Sequence, residues 1–231
     1  MEIKDLITSR VTKETENQVA VQISIIASKI VRKDGNGSWP QLFTLLHDTL
    51  KHSQDERAKY YCAMTLKELI KMMKSKRLPA DRKIFRTLAS EIWPVAADLW
   101  LASQRGIVQS TSAEQFKYRL QAARFGLKIL SSLCIHGTDN PNDCPNVKAL
   151  VRNVMTELPT ILDSFINCSN SSSSIPDIHL EIFGKLITKH AKILTALSED
   201  YFVSLNDIQV ELLQFAAKFV AEGRKYSQII T

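Results

Sequence analysis

Apolar residues recur three and four positions apart in one segment after another of this 231-residue chain. That spacing places them along one side of an α-helix, whereas a half-buried strand needs strict alternation. The chain has only seven glycines and seven prolines, while Leu, Ile, Ala, Lys and Glu recur at helix-like spacing, which argues against a sandwich or a barrel. The pattern therefore predicts an all-α fold of about nine helices.

The first stripe and the turn after it predict the first pair of helices. We expect the stripe to face a core with the residues Val19, Ile23, Ile26 and Ile30. A polar break at 35–38 follows, in which Ser38 is the predicted N-cap of the next helix and Pro40 lies near its first turn. Asp55 is then predicted to open a third helix. Short turns of this kind favour antiparallel neighbours.

Two prolines lie inside the later helical stripes, and two polar segments lie between such stripes. Pro94 and Pro159 lie inside helical patterns, where each removes a backbone donor and is expected to bend its helix. Residues 105–112 are predicted to be a loop. The Ser-rich segment 167–176 is also predicted to be a surface loop, because its polar side chains have little to gain from burial.

The whole of 1–231 is interpreted as a single α-solenoid segment of the HEAT-repeat kind. Amphipathic helices joined by short turns bury their apolar sides by pairing and then stacking on the next pair. Two Trp-Pro dipeptides, at 39–40 and 93–94, hint at repetition, but self-similarity is otherwise weak. A compact helical bundle remains open on the pattern alone.

The chain carries a formal net charge of +6, and its strongest cationic feature lies between two predicted helices. The cluster comprises Lys67, Lys71, Lys74, Lys76, Arg77, Arg82, Lys83 and Arg86. Clustered cations steer acidic partners, so we predict a partner-binding surface at Lys71, Lys74, Lys76, Arg77, Arg82 and Lys83. Two alternatives stay open: a solvated helix end, or nonspecific nucleic-acid binding that weakens with salt. No motif indicates specific recognition of nucleic acid.

The sequence gives little indication of a metal site, disulfide bonds, a membrane span or enzymatic catalysis. Cys134, His136 and Cys144 lack the paired spacing of a structural zinc site, and Cys134 continues an apolar stripe. The cysteines are scattered without CxxC pairing, which is typical of a reducing intracellular compartment. Charged residues interrupt every apolar run, so no membrane span is predicted. No nucleophile, phosphate-loop or metalloprotease motif occurs, and we predict neither an enzyme nor a cofactor.

The two tryptophans that precede prolines are interpreted as core residues. A large ring at the start of a helix, as at Trp39, or inside one, as at Trp93, is suited to packing between neighbouring repeats. Ligand stacking is the alternative. His190 lies in the middle of an apolar stripe and is interpreted as a partly buried structural residue.

Two stretches resemble the importin-beta superfamily of nuclear transport receptors. At 29–42 the sequence KIVRKDGNGSWPQL resembles the family's basic-aspartate turn followed by Trp-Pro, and 75–100 is similar to the importin-eleven branch. The resemblance covers residues 15–100. Its signature residues are Asp34, Trp39, Pro40, Trp93 and Pro94.

The resemblance implies a receptor that works by non-covalent binding in protein import into the nucleus. Such receptors engage the GTPase Ran through an N-terminal region, hold protein cargo, and contact nucleoporin FG repeats. They are expected in the nucleus and cytoplasm, and at the nuclear envelope during transport. The chain resembles a fragment or short isoform that lacks the N-terminal Ran-binding region. A HEAT-repeat scaffold unconnected with transport is the alternative function.

Overall fold

The computed structural model describes residues 2–34, 39–76, 78–138, 140, 142, 144–170 and 177–222. The described residues form nine α-helices and two short 3-10 turns, with no strand among them, which confirms the all-α prediction. The helices are α1 (Ile3–Val11), α2 (Asn17–Asp34), α3 (Pro40–His52), α4 (Glu56–Met73), α5 (Pro79–Gly106), α6 (Ala113–Gly137), α7 (Pro145–Asn170), α8 (Asp177–Asp200) and α9 (Gln209–Ala221). They fall into two compact units, Met1–Gly137 and Thr138–Thr231.

The first unit consists of three helix pairs arranged in two layers. Each helix packs on its partner within a pair, α1 on α2, α3 on α4 and α5 on α6. It also packs on the helix two places along, so that α1, α3 and α5 form one layer and α2, α4 and α6 form the other. This packing of like helices on like is the HEAT-repeat arrangement that the sequence predicted.

Helices α4 and α6 run parallel within the second layer, in a constant register. The contacts join Tyr60 to Tyr118, Lys67 to Phe125, and Lys74 to Ser132. Each pair is 58 residues apart, as it is for the Lys74–Ser132 hydrogen bond. A fixed offset over two helical turns on each side means that equivalent positions in successive repeats lie next to each other.

Helix α4 is the centre of the first unit. Its predicted beginning at Asp55 is confirmed to within one residue. Asp55 is the N-cap, and its carboxylate accepts hydrogen bonds from the backbone N–H groups of Arg57 and Ala58 at 2.8 and 3.2 Å. Eleven of its residues are buried. A helix buried on most of its circumference has neighbours on several sides, as α4 does in α2, α3 and α6.

Helix α2 does not bury the stripe that the sequence predicted. Val19 and Ile26 are 45% and 42% exposed, and the buried face lies one position further along the chain. That face carries small residues, which are Ala20, Ser24, Ala27, Ser28 and Val31. Small side chains let α2 approach α4 closely enough for Ser24 Oγ and Thr65 Oγ1 to hydrogen bond at 2.9 Å. Ser24 also donates to the Ala20 carbonyl, so its hydroxyl is satisfied in the core.

Several boundaries differ from the sequence prediction. Trp39, and not Ser38, precedes the first helical residue of α3; Ser38 itself lies outside the described residues. Helix α5 runs through Pro94 to Gly106 and continues into a 3-10 turn, so the predicted loop from 105 is shorter. Helix α7 likewise runs through Pro159 to Asn170, and so the predicted loop from 167 begins too early. The rest of that loop, 171–176, lies outside the described residues.

The second unit has its own core between α7 and α8. The rings of Phe165 and Phe183 stack with their centroids 3.8 Å apart. His190 is completely buried, which is deeper than predicted, and its Nδ1 lies 2.9 Å from the carbonyl oxygen of Leu186. Helix α9 has no buried residue.

Candidate functional site

The net charge of the chain is concentrated in one segment of twenty residues, 67–86. This segment contains eight of the 30 cationic residues and two of the 24 carboxylates, a net charge of +6. The remaining sequence has 22 of each and is neutral. The basic cluster defined from the sequence therefore accounts for the whole excess of positive charge.

The structure places the basic cluster at the end of α4, the beginning of α5 and the turn between them. Part of it is neutralised locally. Glu68 lies 2.5 Å from the ammonium of Lys67 and 3.8 Å from that of Lys71, and Asp81 lies 3.3 Å from Lys76. Arg77 lies outside the described residues. Of the six predicted binding residues, Lys71 and Lys76 thus have a carboxylate partner.

Lys74, Arg82 and Lys83 are the exposed members of the predicted set that have no ion pair among the described residues. The Lys74 ammonium donates a hydrogen bond to Ser132 Oγ at 3.4 Å, so it points towards the last turns of α6. His136 lies one turn beyond Ser132. Loss of surrounding water lowers the pKa of His136, and the charges of Lys74 and Arg82 lower it further. The cluster thus extends onto α6, a helix that the sequence analysis did not connect with it.

The signature residue Trp39 is a structural element of the first pair of helices. Its side chain is 2% exposed, and its indole N–H donates to Thr8 Oγ1 at 3.2 Å. The Lys4 ammonium lies 5.9 Å from the ring centroid and pairs with Asp34 at 2.9 Å. Trp39 and Asp34 therefore hold α1 against the end of α2, which agrees with a core role for Trp39.

Trp93 and Pro94 have a different environment from Trp39 and Pro40. Trp93 is half-buried and Pro94 is exposed on α5, so this Trp-Pro pair does not repeat the first one. Pro40 occupies the first position of α3, where a missing N–H costs nothing. The core interpretation therefore describes Trp39 better than it describes Trp93.

An apolar groove between α3 and α5 was not predicted. It consists of two adjoining cavities of about 250 and 440 Å³ that share Phe43, Thr44, Leu88 and Glu91. Ile92 and Val95 line its deeper part, and the exposed Ile84 lies at its shallow end. The lining residues come from helices that are distant in sequence. In the sequence, Ile84 and Leu88 are ordinary members of the apolar stripe of α5. The structure shows that they are its least buried members, and both line the groove.

Among the described residues, no three His, Cys, Asp or Glu side chains come together as a metal site. Cys134 is buried in the core of the first unit, as its position in an apolar stripe predicted. Burial also raises the pKa of the Cys62 thiol to about 12, so this thiol is an inert core residue. None of the helices in the described ranges is both long and apolar enough to cross a membrane.

The stacked helix pairs define the class of protein as an all-α, HEAT-repeat-like fold. Comparison with known proteins narrows this class. The chain is 27% identical over 224 residues to Importin-11 of Mus musculus and of Homo sapiens, in matches that cover 94% of the chain and 22% of each relative. It is also 27% identical over 140 residues to the Importin beta-like protein kap113 of Schizosaccharomyces pombe, covering 56% of the chain and 14% of that protein. These relatives support its assignment to the importin-beta family, in an importin-11-like branch.

The importin-11 match extends well past the residues 15–100 that carried the resemblance in the sequence. The chain spans about a fifth of the length of these relatives. No protein-family model matches the sequence. No solved structure matches it either.

Proposed function

We propose that this chain acts as a segment of a nuclear transport receptor in Ran-dependent import of proteins, by non-covalent binding of cargo. The observation that carries the proposal is the importin-11 similarity over 94% of the chain. The stacked helix pairs support it, because they offer long binding surfaces. Such a receptor works in both the nucleus and the cytoplasm and passes the nuclear envelope.

The groove between α3 and α5 is the surface we assign to nucleoporin FG repeats. Most of the side chains that line it are apolar, although Thr44 and Glu91 also line both cavities. The cavities are large enough to hold an aromatic ring. A phenylalanine inserted beside Phe43 and Leu88 gains from burial there. The flanking glycine of an FG repeat adds no side chain that the narrow space between two helices must accommodate.

The basic cluster is the surface we assign to an acidic segment of a cargo or other protein partner. The net charge of +6 on segment 67–86 attracts such a partner at long range, whereas the rest of the chain is neutral. Lys71, Lys74, Lys76, Arg77, Arg82 and Lys83 are the proposed contacts. Binding of this kind weakens as salt shortens the range of the field.

The test of the transport role is import in permeabilised cells, with the labelled chain and purified Ran. We expect the chain to accumulate at the nuclear rim, and the variant Leu88→Asp to lose that staining, because it puts a charge into the groove. Leu213→Asp, at an exposed apolar position of α9, is the matched control. If the unaltered chain shows no rim staining, the scaffold function replaces the transport role.

Ran dependence has a separate test, which is linkage between two ligands. If Ran-GTP lowers the affinity of the chain for cargo, cargo must lower its affinity for Ran-GTP by the same factor. Fluorescence titration of each ligand in the presence of the other measures both factors. Independent binding would remove Ran from this segment's role.

A further inference from the structure

The ends of three helices converge on one side of the basic cluster. Lys74 is the first residue after α4, and its ammonium reaches Ser132 on α6. Ser132 and His136 are four residues apart, so they share a face of α6 one turn apart. Lys74 and His136 therefore belong to the same small patch of surface.

Helix α5 brings a second cation to this patch. A Cβ added to Gly137, the last residue of α6, would lie 2.6 Å from the Cβ of Ala89 and 3.9 Å from the ring of Phe85. Arg82 is three residues before Phe85 and seven before Ala89, which puts it on the same face of α5. Arg82 therefore lies near the C-terminal end of α6, and its charge acts on the His136 imidazole and lowers its pKa.

Among the residues that the structure describes, no carboxylate pairs with Lys74 or Arg82. The two carboxylates of segment 67–86 are engaged elsewhere, Glu68 with Lys67 and Lys71, and Asp81 with Lys76. Lys74, Arg82 and His136 are all exposed, so an incoming group can reach them without a change in the fold. Two cations whose charges both act on one neutral imidazole make a site that favours an anion.

We propose that Lys74, Arg82, Ser132 and His136 form a binding site for a phosphate monoester. A phosphate monoester carries up to two negative charges at neutral pH and three acceptor oxygens, which match two cations and further donors on Ser132 and His136. A single carboxylate neutralises only one of the two cations. The planar fork of Arg82 suits two phosphate oxygens at once, and Lys74 supplies a point charge. This inference deepens the proposed role of the basic cluster as a partner-binding surface and rests on it.

The test uses the ring signals of His136 in the full chain, followed by NMR through a pH titration at constant ionic strength. Inorganic phosphate, a short peptide with one phosphoserine, and the same peptide with aspartate are the three probes. His136→Gln assigns the signal. We expect either phosphate probe to raise the pKa of His136 by about one unit, because a bound anion favours the protonated ring. The aspartate peptide should raise it much less.

Charge variants show whether the effect is local. We expect Lys74→Gln and Arg82→Gln each to weaken phosphate binding about tenfold, the usual effect of losing a charged hydrogen bond. Lys117→Gln removes one exposed cation from the same unit, roughly 28 Å along α6 from His136 at 1.5 Å per residue. It should leave the affinity unchanged. Equal weakening by all three variants would overturn the site, since it would show general attraction only.

The three probes also distinguish a phosphorylated protein from a free phosphate compound as the ligand. They further distinguish the phosphate site from the proposed binding of an acidic partner. Tighter binding of the phosphoserine peptide than of inorganic phosphate would identify a phosphorylated protein partner, and the reverse would identify a free phosphate compound; both support the site. If aspartate and phosphoserine peptides act equally, the acidic-partner role stands and the phosphate site is wrong. If no probe moves His136, both are wrong, while the groove and Ran tests remain independent.

Discussion

Two glycines in helix interiors lie in opposite surroundings, and they predict opposite effects of the same substitution. A Cβ on Gly126 would lie 2.9 Å from the Cβ of Trp100 and 3.1 Å from its Cα, where α6 crosses α5. We expect Gly126→Ala to destabilise the protein by about 1–3 kcal/mol, because the two helices must move apart. On Gly184 a Cβ meets nothing within 4 Å. Gly184→Ala should stabilise by about 0.5–1 kcal/mol, because alanine loses less backbone entropy in a helix. Urea unfolding monitored by circular dichroism measures both, and shifts of the same sign would contradict the packing at Gly126.

The buried His190 predicts that stability falls in mild acid. Burial lowers the pKa of its imidazole to about 4, partly opposed by the hydrogen bond with the Leu186 carbonyl. An unfolded histidine has a pKa of about 6.5, so between these values the unfolded state binds a proton that the folded state does not. Its contribution is complete above about pH 6.5 and is lost as pH falls towards 4, at up to about 1.4 kcal/mol per pH unit. We expect His190→Gln, which stays neutral, to flatten that part of the urea-unfolding profile against pH. Parallel profiles for the two proteins would show that His190 is not the titrating group.

At the scale of single residues, the sequence predicts best where the physical reason is local. The beginning of α4 depends on the four residues 55–58, within which the Asp55 carboxylate accepts hydrogen bonds from two backbone N–H groups, and it was predicted correctly. The buried face of α2 depends on how closely α4 approaches, which no local pattern contains. The periodic pattern therefore predicted burial of the larger side chains at Val19 and Ile26, whereas the contact with α4 buries the small ones.

At the scale of elements, Trp39 connects the beginning of α3 to α1. Its ring is buried, its N–H is bonded to Thr8, and the Lys4–Asp34 ion pair lies beside it. We expect Trp39→Ala to cost about 3–5 kcal/mol through the cavity it leaves. Trp39→Phe retains most of the apolar contact and should cost clearly less. Thermal unfolding measures both, and a melting temperature of Trp39→Ala close to that of the unaltered chain would show that the ring is not a core element.

The candidate sites differ in how far the sequence can predict them. The basic cluster is continuous in sequence, so its position was predicted from composition alone. Which of its cations are neutralised depends on rotamers at Glu68 and Asp81, and the link to Ser132 and His136 depends on the packing of α6 beside α4. The groove between α3 and α5 exists only because the helices of one layer stack. A pattern within one helix cannot show a surface that two helices create.

At the scale of the whole molecule, the layered packing follows from the sequence more securely than the division of the chain does. The predicted helices carry apolar stripes, which are buried when the helices pack on one another. Because long helices alternate with short turns, helices that follow each other in the chain are antiparallel. The grouping of contacts into Met1–Gly137 and Thr138–Thr231 depends on contacts between residues far apart in sequence. The turn-rich connector after Gly137 marks this boundary, although residues of the same types also occur within the first unit.

The closed core of the first unit predicts that residues 1–137 fold without the rest of the chain. Its largest fully buried side chains, among them Trp39, Tyr61 and Trp100, pack between helices that all lie within that range. We expect the fragment 1–137 to be helical by circular dichroism and to unfold in one cooperative transition. A fragment ending at Gly106 is the control, because it lacks α6, the helix that packs most extensively on α5 and also covers α4. That shorter fragment should lose cooperativity and bind hydrophobic dye, because its apolar faces are left uncovered. If 1–137 behaves like 1–106, the core of the first unit is not sufficient to stabilise it, and residues beyond Gly137 must supply the difference.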